Sequence, residues 1–154
     1  MKGSSRRAIA RPRACTLRRM PLDHDDTNHR ASVSTVLAGI RVLDFGRYVV
    51  GPYCATLLGF LGAEVIRTER REGGEDRYIA PVADGGECGV FFQTACGKKL
   101  ITLDPGRPGA RELIARLVAI ADVVVANPPP AQMRKMGIDH AALMAVKPEV
   151  ILTT

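Results

Sequence analysis

The stretch from Gly39 to Glu69, GIRVLDFGRYVVGPYCATLLGFLGAEVIRTE, constrains the fold more than any other part of the 154-residue chain. Ile40, Val42, Leu43 and Phe45 form a brief apolar run bounded by Gly39 and Gly46, which predicts a strand. Gly51-Pro52 suits a helix start, because proline fits a first turn whose N–H groups lack partners anyway. Leu57, Leu58, Phe60 and Leu61 then give nearly continuous apolar surface, and Gly62 can end the helix before Val65 and Ile66 open a second strand. Strand–helix–strand is the opening unit of an α/β domain, with a mostly parallel sheet and flanking helices. The helix is too apolar to face water, so it is expected to lie between the sheet and something else.

One domain with a real core fits within 154 residues. The formal charge of +6 suggests a nucleic-acid partner until it is divided along the chain. Residues 1–30 carry eight Lys/Arg against three Asp, whereas residues 31–154 carry fourteen against thirteen. The basicity therefore belongs to the leader. Nucleic-acid binding by the folded part would need a basic excess or aromatic platforms there, and neither is present. No apolar run approaches the roughly 20 residues of a membrane helix, so no membrane is expected as a partner. Cysteines 15, 54, 88 and 96 have neither CxxC spacing nor the density of a disulfide scaffold, and they read as free structural thiols.

Taken in order, residues 1–38 read as a basic, disordered leader, or as the product of a start placed too far upstream. Their arginine-rich composition also permits a mitochondrial targeting segment. His24 and His29 lie in this polar stretch, where a metal site is not expected. After Glu69, two Gly-Gly pairs and alternating charges predict a loop of about twenty residues. Leu100, Ile101 and Leu103 predict a third strand, and Arg111–Ile120 has the spacing of an amphipathic helix. Val123–Val125 reads as a buried strand, closed by Asn127 and a rigid run of three prolines. Short helices are predicted around 132–136 and 139–146. Val150, Ile151 and Leu152 then begin a further strand, which makes 39–154 read as the N-terminal portion of a longer domain.

Spacing alone yields no catalytic constellation. The sequence contains no GxGxxG, Walker, HExxH or GxSxG motif. His140 reads as a surface or helix-terminal residue. Asp44, Glu64, Glu69 and Asp104 lie near strand ends, where α/β proteins place ligands. The stronger signal is a basic rim at the turns of one sheet edge: Arg67, Arg70 and Arg71, then Arg107, then Arg134 and Lys135. These groups could form a solvated rim of ion pairs or hold the phosphates of a ligand, with N–H groups from the Gly51-Pro52 turn.

Residues 39–154 resemble the start of a family III CoA-transferase, of the formyl-CoA transferase and carnitine dehydratase type. That group also contains the α-methylacyl-CoA racemases. The resemblance rests on GIRVLDFGR, GPYCATLLGFLGAEVIRTERREGGED, KKLITLDPGRPGARELIARLVAIADVVVAN, RKMGI and LMAVKPEVILT, in that order. It implies a Rossmann-like CoA-binding part of a longer protein, with coenzyme A or acyl-CoA as substrate and no permanently bound cofactor. Partners would be an acyl-CoA and a carboxylic acid, and the longer members form interlocked homodimers. A transferase moves CoA to a free acid through an aspartate nucleophile, whereas a racemase removes and returns the α-proton. In the resemblance the aspartate follows the segment matching ILTT. No residue of this chain is then expected to be catalytic, and the chain is expected to be inactive alone. A cytoplasmic location is expected, and the alternatives are an acyl-CoA racemase of the same family and a non-catalytic CoA- or nucleotide-binding module.

By the resemblance, Val49 would occupy an early active-site loop and Arg70 matches an arginine that contacts CoA. Leu103 matches an apolar residue near the adenine, Asn127 the asparagine of an ENF-type turn, and Lys135 with Met136 keeps the charge and thioether of an R-M-G signature. Arg107 stands in for a lysine that Gly106 replaces. The NPPP run from Asn127 removes the aromatic residue that usually follows the asparagine.

Overall fold

Every strand of the sheet runs parallel to its neighbours, so every strand-to-helix loop arrives at the same edge. The computed structural model describes residues 36–79 and 88–154, which lie in one unit of the chain. The arginine-rich leader, with Cys15, His24 and His29, and residues 80–87 of the glycine-rich loop lie outside the described residues. Val36–Ala38, assigned to the leader from sequence, instead belong to a turn that meets the fold: Leu37 N–H donates to the Leu61 carbonyl at 2.9 Å.

The strands are β1 (Arg41–Asp44), β2 (Glu64–Glu69), β3 (Lys99–Thr102), β4 (Val123–Val125) and β5 (Ile151–Thr153). Their spatial order is β3-β2-β1-β4-β5. The helices are α1 (Val50–Phe60), α2 (Gly89–Ala95), α3 (Ala110–Ala119), α4 (Pro130–Met136) and α5 (His140–Val146). A short 3₁₀ turn covers Glu75–Tyr78. The α/β class and parallel sheet expected from sequence are therefore present.

Strand alternation sorts the core into two layers. Val42, Val65 and Val125 pack with Ala55 of α1. Leu43 and Val124 face the other way, against Ile114 and Val118 of α3, Met133 and Met136 of α4, and Leu143 of α5. Pro52 falls in the first turn of α1, and Gly62, with φ of 103°, lets the chain leave the helix and enter β2. α1 differs from expectation on its outer side. Ala55 and Thr56 are buried, yet Val50, Tyr53, Leu57 and Phe60 remain exposed, because the sheet covers only one side of a helix that is apolar all round. Among the described residues no helix is long and apolar enough to cross a membrane.

α2 is not among the elements expected from sequence, which predicts only a loop after Glu69. The Cys88 Sγ caps it by accepting from Phe91 N–H at 3.4 Å, and the same thiol donates to the Asp76 carbonyl at 2.8 Å. Cys54 is partly buried and Cys96 exposed; none of the three described cysteines is in a disulfide.

The edge opposite the strand-to-helix loops carries surface ion pairs. Glu64 bonds Lys99 and, at 2.6 Å, the Arg41 guanidinium. Asp122 accepts from the Arg41 backbone N–H at 2.8 Å and from Lys147 at 3.3 Å. Lys99 and then Arg41 hold the Glu64 carboxyl below its ordinary value; the Arg41 N–H and then Lys147 do the same for Asp122. Carboxyls depressed in the folded state contribute stability above their unfolded values and lose it as pH falls through the folded ones. The urea midpoint is expected to drop below about pH 4, with a shallower acid limb in a Glu64→Gln/Asp122→Asn variant. An unchanged limb in that variant would show that these pairs carry no acid sensitivity.

Candidate functional site

The chain steps outward from β1 through β2 to β3 and then returns to the other side of β1 with β4. The crevice between the loops after β1 and β4 is the point of reversal, where open α/β sheets bind ligands. Asn127 spans it: its Oδ1 accepts from Arg47 N–H at 2.6 Å, and its Nδ2 donates to the Arg47 carbonyl at 3.0 Å. One side chain thus holds both backbone groups of a residue eighty positions away.

The β1 loop is also held from within. Gly46 and Gly51 lie back to back; a Cβ on Gly46 would stand 2.6 Å from Pro52 N and 2.7 Å from Gly51 C. Tyr48 between them takes φ of 61°, a conformation rarely adopted by a bulky residue. Beneath the loop, Lys98 Nζ donates to Asp44 Oδ2 at 2.7 Å and to the Pro52 carbonyl at 2.6 Å. The Lys98 and Asp44 side chains are 1% and 0% exposed. Asp44 Oδ1 accepts in turn from Gly46 N–H at 2.8 Å. Burial lowers the Lys98 ammonium below its usual range, and the Asp44 charge opposes that only in part. A single buried ammonium therefore joins the end of β1, the turn after it and the first turn of α1.

At the end of β2 the basic cluster divides. Arg70 is half-exposed at the rim. Arg67, grouped with it from sequence, is instead buried, pairing with Asp76 and lying 3.1 Å from Glu69. The reason is strand alternation: Arg67 is two residues from Val65 and shares its inward face. Arg77 joins Glu69 at 2.9 Å and lies 3.8 Å over the Phe91 ring, with Arg67 at 5.5 Å from the same ring. This network fixes the 3₁₀ turn and leaves its first residue, Glu75, at the surface between Arg47 and Arg70. Burial raises the Glu75 carboxyl, but its own backbone N–H and the two guanidiniums outweigh that and keep it low.

Three adjoining hollows, all of them lined in part by Arg70, lie along this edge. A narrow one is lined by Gly46, Arg67, Arg70, Leu103 and Met136. Beside it lies a groove of about 440 Å³ floored by Pro105, Gly106, Gln132, Lys135 and Met136. The third, about 250 Å³, lies at the crevice between Arg47, Tyr48, Glu75, Asn127 and Gln132. Five of the residues carried over from the resemblance therefore converge: Arg70, Leu103, Asn127, Lys135 and Met136. Leu103 and Met136 are buried apolar walls, while Lys135 is exposed. Val49 sits at the N-cap of α1, outside these linings, with its side chain exposed. Arg107 also stands apart, in the β3–α3 turn, where it pairs loosely with Asp104 at 3.5 Å. His140, the first residue of α5, is exposed, and no cluster of metal-ligating side chains occurs among the described residues.

The family model described as CoA-transferase family III matches residues 37–154. The chain belongs to CoA-transferase family III.

Its relatives in the family include the succinate–glutarate CoA-transferase of Agrobacterium fabrum, 36% identical over 75% of this chain and 30% of that protein. The succinyl-CoA:mesaconate CoA-transferase of Haloarcula hispanica is 38% identical over 77% of this chain and 31% of that protein. A CAIB/BAIF family protein from Brucella suis superimposes with a TM-score of 0.67 at 37% identity, covering 75% of this chain and 32% of that one. The chain spans about 30% of the length of these family III relatives. Three residues of this edge are not singled out as ligand or loop-building groups from sequence, Arg47, Glu75 and Lys98, and Arg67 is placed there on the rim although its side chain is buried. For Lys98 the signal is the Lys98-Lys99 pair entering a strand, where alternation sends one side chain in and the other out.

Proposed function

We propose that this chain forms the CoA-binding segment of a family III CoA-transferase, an enzyme that moves CoA from an acyl-CoA to a carboxylic acid. The observation that carries the reading is the convergence of Arg70, Lys135, Leu103, Met136 and Asn127 on adjoining hollows at the reversal point of the sheet. Arg70 and Lys135 supply the charge that phosphates need, a planar fork and a mobile ammonium. Leu103 and Met136 offer an apolar wall suited to an adenine ring. Asn127 ties the two walls of the crevice together by holding Arg47.

The acyl exchange itself calls for a free carboxylate nucleophile. Beside the groove the carboxylates are already engaged: Asp44 by Lys98, Asp76 by Arg67, Glu69 by Arg67 and Arg77, Glu75 by Arg47 and Arg70, and Asp104 by the Gly106 N–H and, loosely, by Arg107. The geometry therefore favours binding as the task of this segment. The assembly in which it works is the interlocked homodimer of the longer members. Relatives named for succinyl, malate, glutarate and mesaconate substrates favour transfer over racemisation, with short dicarboxylic acids as the acyl partners.

Calorimetric titration of the full chain with CoA tests the reading. CoA is expected to bind, and Arg70→Met is expected to weaken it by about tenfold to a hundredfold, the loss of one charge-assisted contact. A folded chain that takes up no CoA would overturn the proposal.

A further inference from the structure

We propose that Glu75 holds the anion position of the crevice in the unliganded chain and competes with a ligand phosphate for Arg47 and Arg70. The inference rests on the reading that this groove takes CoA. Its basis is the division of one carboxylate between two guanidiniums from different strand ends. Oε2 pairs with Nη1 of Arg47, after β1, and Oε1 lies 3.5 Å from Nη1 of Arg70, after β2. Guanidinium forks donate to carboxylate and phosphate oxygens in the same geometry, and a terminal phosphate brings three acceptor oxygens where Glu75 has two. What two converging arginines hold between them is an anion site, here filled by the protein's own side chain.

Two features make this carboxylate displaceable. Its side chain is 43% exposed, so the ion pairs are weakened by solvent. The turn that carries it is secured independently of it. Asp76 is buried against Arg67, and the Asp76 carbonyl accepts from the Cys88 thiol. Cys88 N–H also donates to the Arg77 carbonyl at 2.9 Å. The Glu75 side chain can therefore swing aside while the turn stays in place. Asp76 in the same turn and Glu69 at the end of β2 are committed to the buried network and cannot take over.

The test is titration of the full chain and of Glu75→Gln with CoA at low ionic strength, with Glu75→Ala as a second variant. Arg70→Met and the Glu75→Gln/Arg70→Met double variant complete a cycle, and thermal unfolding checks that each is folded. Removing the carboxylate is expected to tighten CoA binding by about threefold to tenfold, the weight of exposed ion pairs, with the gain shrinking as salt is added. The gain is expected to vanish when Arg70 is already methionine. Equal or weaker binding by both Glu75 variants would overturn this inference and leave the CoA reading standing. A gain that persists in the Arg70→Met background would overturn it too. No CoA binding by any folded form would overturn the CoA reading, and the competition with it.

Discussion

Lys98→Met is expected to destabilise the folded chain by about 3–5 kcal/mol, the cost of leaving a buried carboxylate without its partner. The urea midpoint reads it, provided the slope of the transition is unchanged. Methionine replaces the aliphatic stem of the lysine but not its ammonium, so the loss falls on Asp44 and the Pro52 carbonyl. The sharper form of the expectation lies in the double variant. Asn at position 44 retains an oxygen for Gly46 N–H and no longer carries a charge, so Asp44→Asn should recover part of what Lys98→Met loses. Two neighbouring changes that compensate are the mark of a coupled pair. If Lys98→Met costs less than about 1 kcal/mol, or if adding Asp44→Asn only deepens the loss, the pair is not what holds this corner together.

The second large effect is expected from a single methyl group. Gly46→Ala places a Cβ 2.6–2.7 Å from Pro52 N, the Asp44 carboxylate and Gly51 C, and two of those three neighbours are backbone. Backbone cannot rotate away as a side chain can, so the loop after β1 must part from the start of α1. Overpacking of this kind costs about 1–3 kcal/mol. Its consequence for binding should exceed its consequence for stability, because Arg47 is the next residue and Asn127 grips its backbone at both ends. A loss of CoA affinity of about tenfold or more is expected in a variant that still unfolds cooperatively. Unchanged affinity would mean that the spacing of this loop does not set the site.

How much of this was legible in the sequence depended on whether a pattern was local. β1, α1 and β2 could be read because their apolar runs are bounded by glycines and a proline at positions where those residues have steric reasons to be. α3 could be read because Leu113, Ile114, Leu117 and Val118 recur at helical spacing. α2 could not, since seven residues following two Gly-Gly pairs give too short a period to stand out, and its cap is a cysteine outside the usual set. Arg67 was misplaced because a charge was assumed to face water, although alternation with Val65 pointed it inward. The site residues came from the family resemblance. Arg47 and Lys98 gain their significance from neighbours 28 to 80 positions away, and no local pattern reports those contacts. Glu75 meets Arg70 within the same loop, but its second partner, Arg47, lies 28 positions back.

The eighty-residue separation of Arg47 and Asn127 also sets an order of events during synthesis. As the chain leaves the ribosome, β1, α1 and β2 can pair early, since their contacts span few residues. The crevice cannot exist until β4 has emerged and docked on the far side of β1, because half of its rim has not yet been made. Long-range pairing of that kind is slow relative to local structure. Until it occurs, the emerging segment carries Arg47 and Arg70 but lacks the asparagine that spaces them from the opposite wall. A nascent chain caught before residue 127 should be blind to coenzyme, and the onset of binding would time the arrival of the fourth strand.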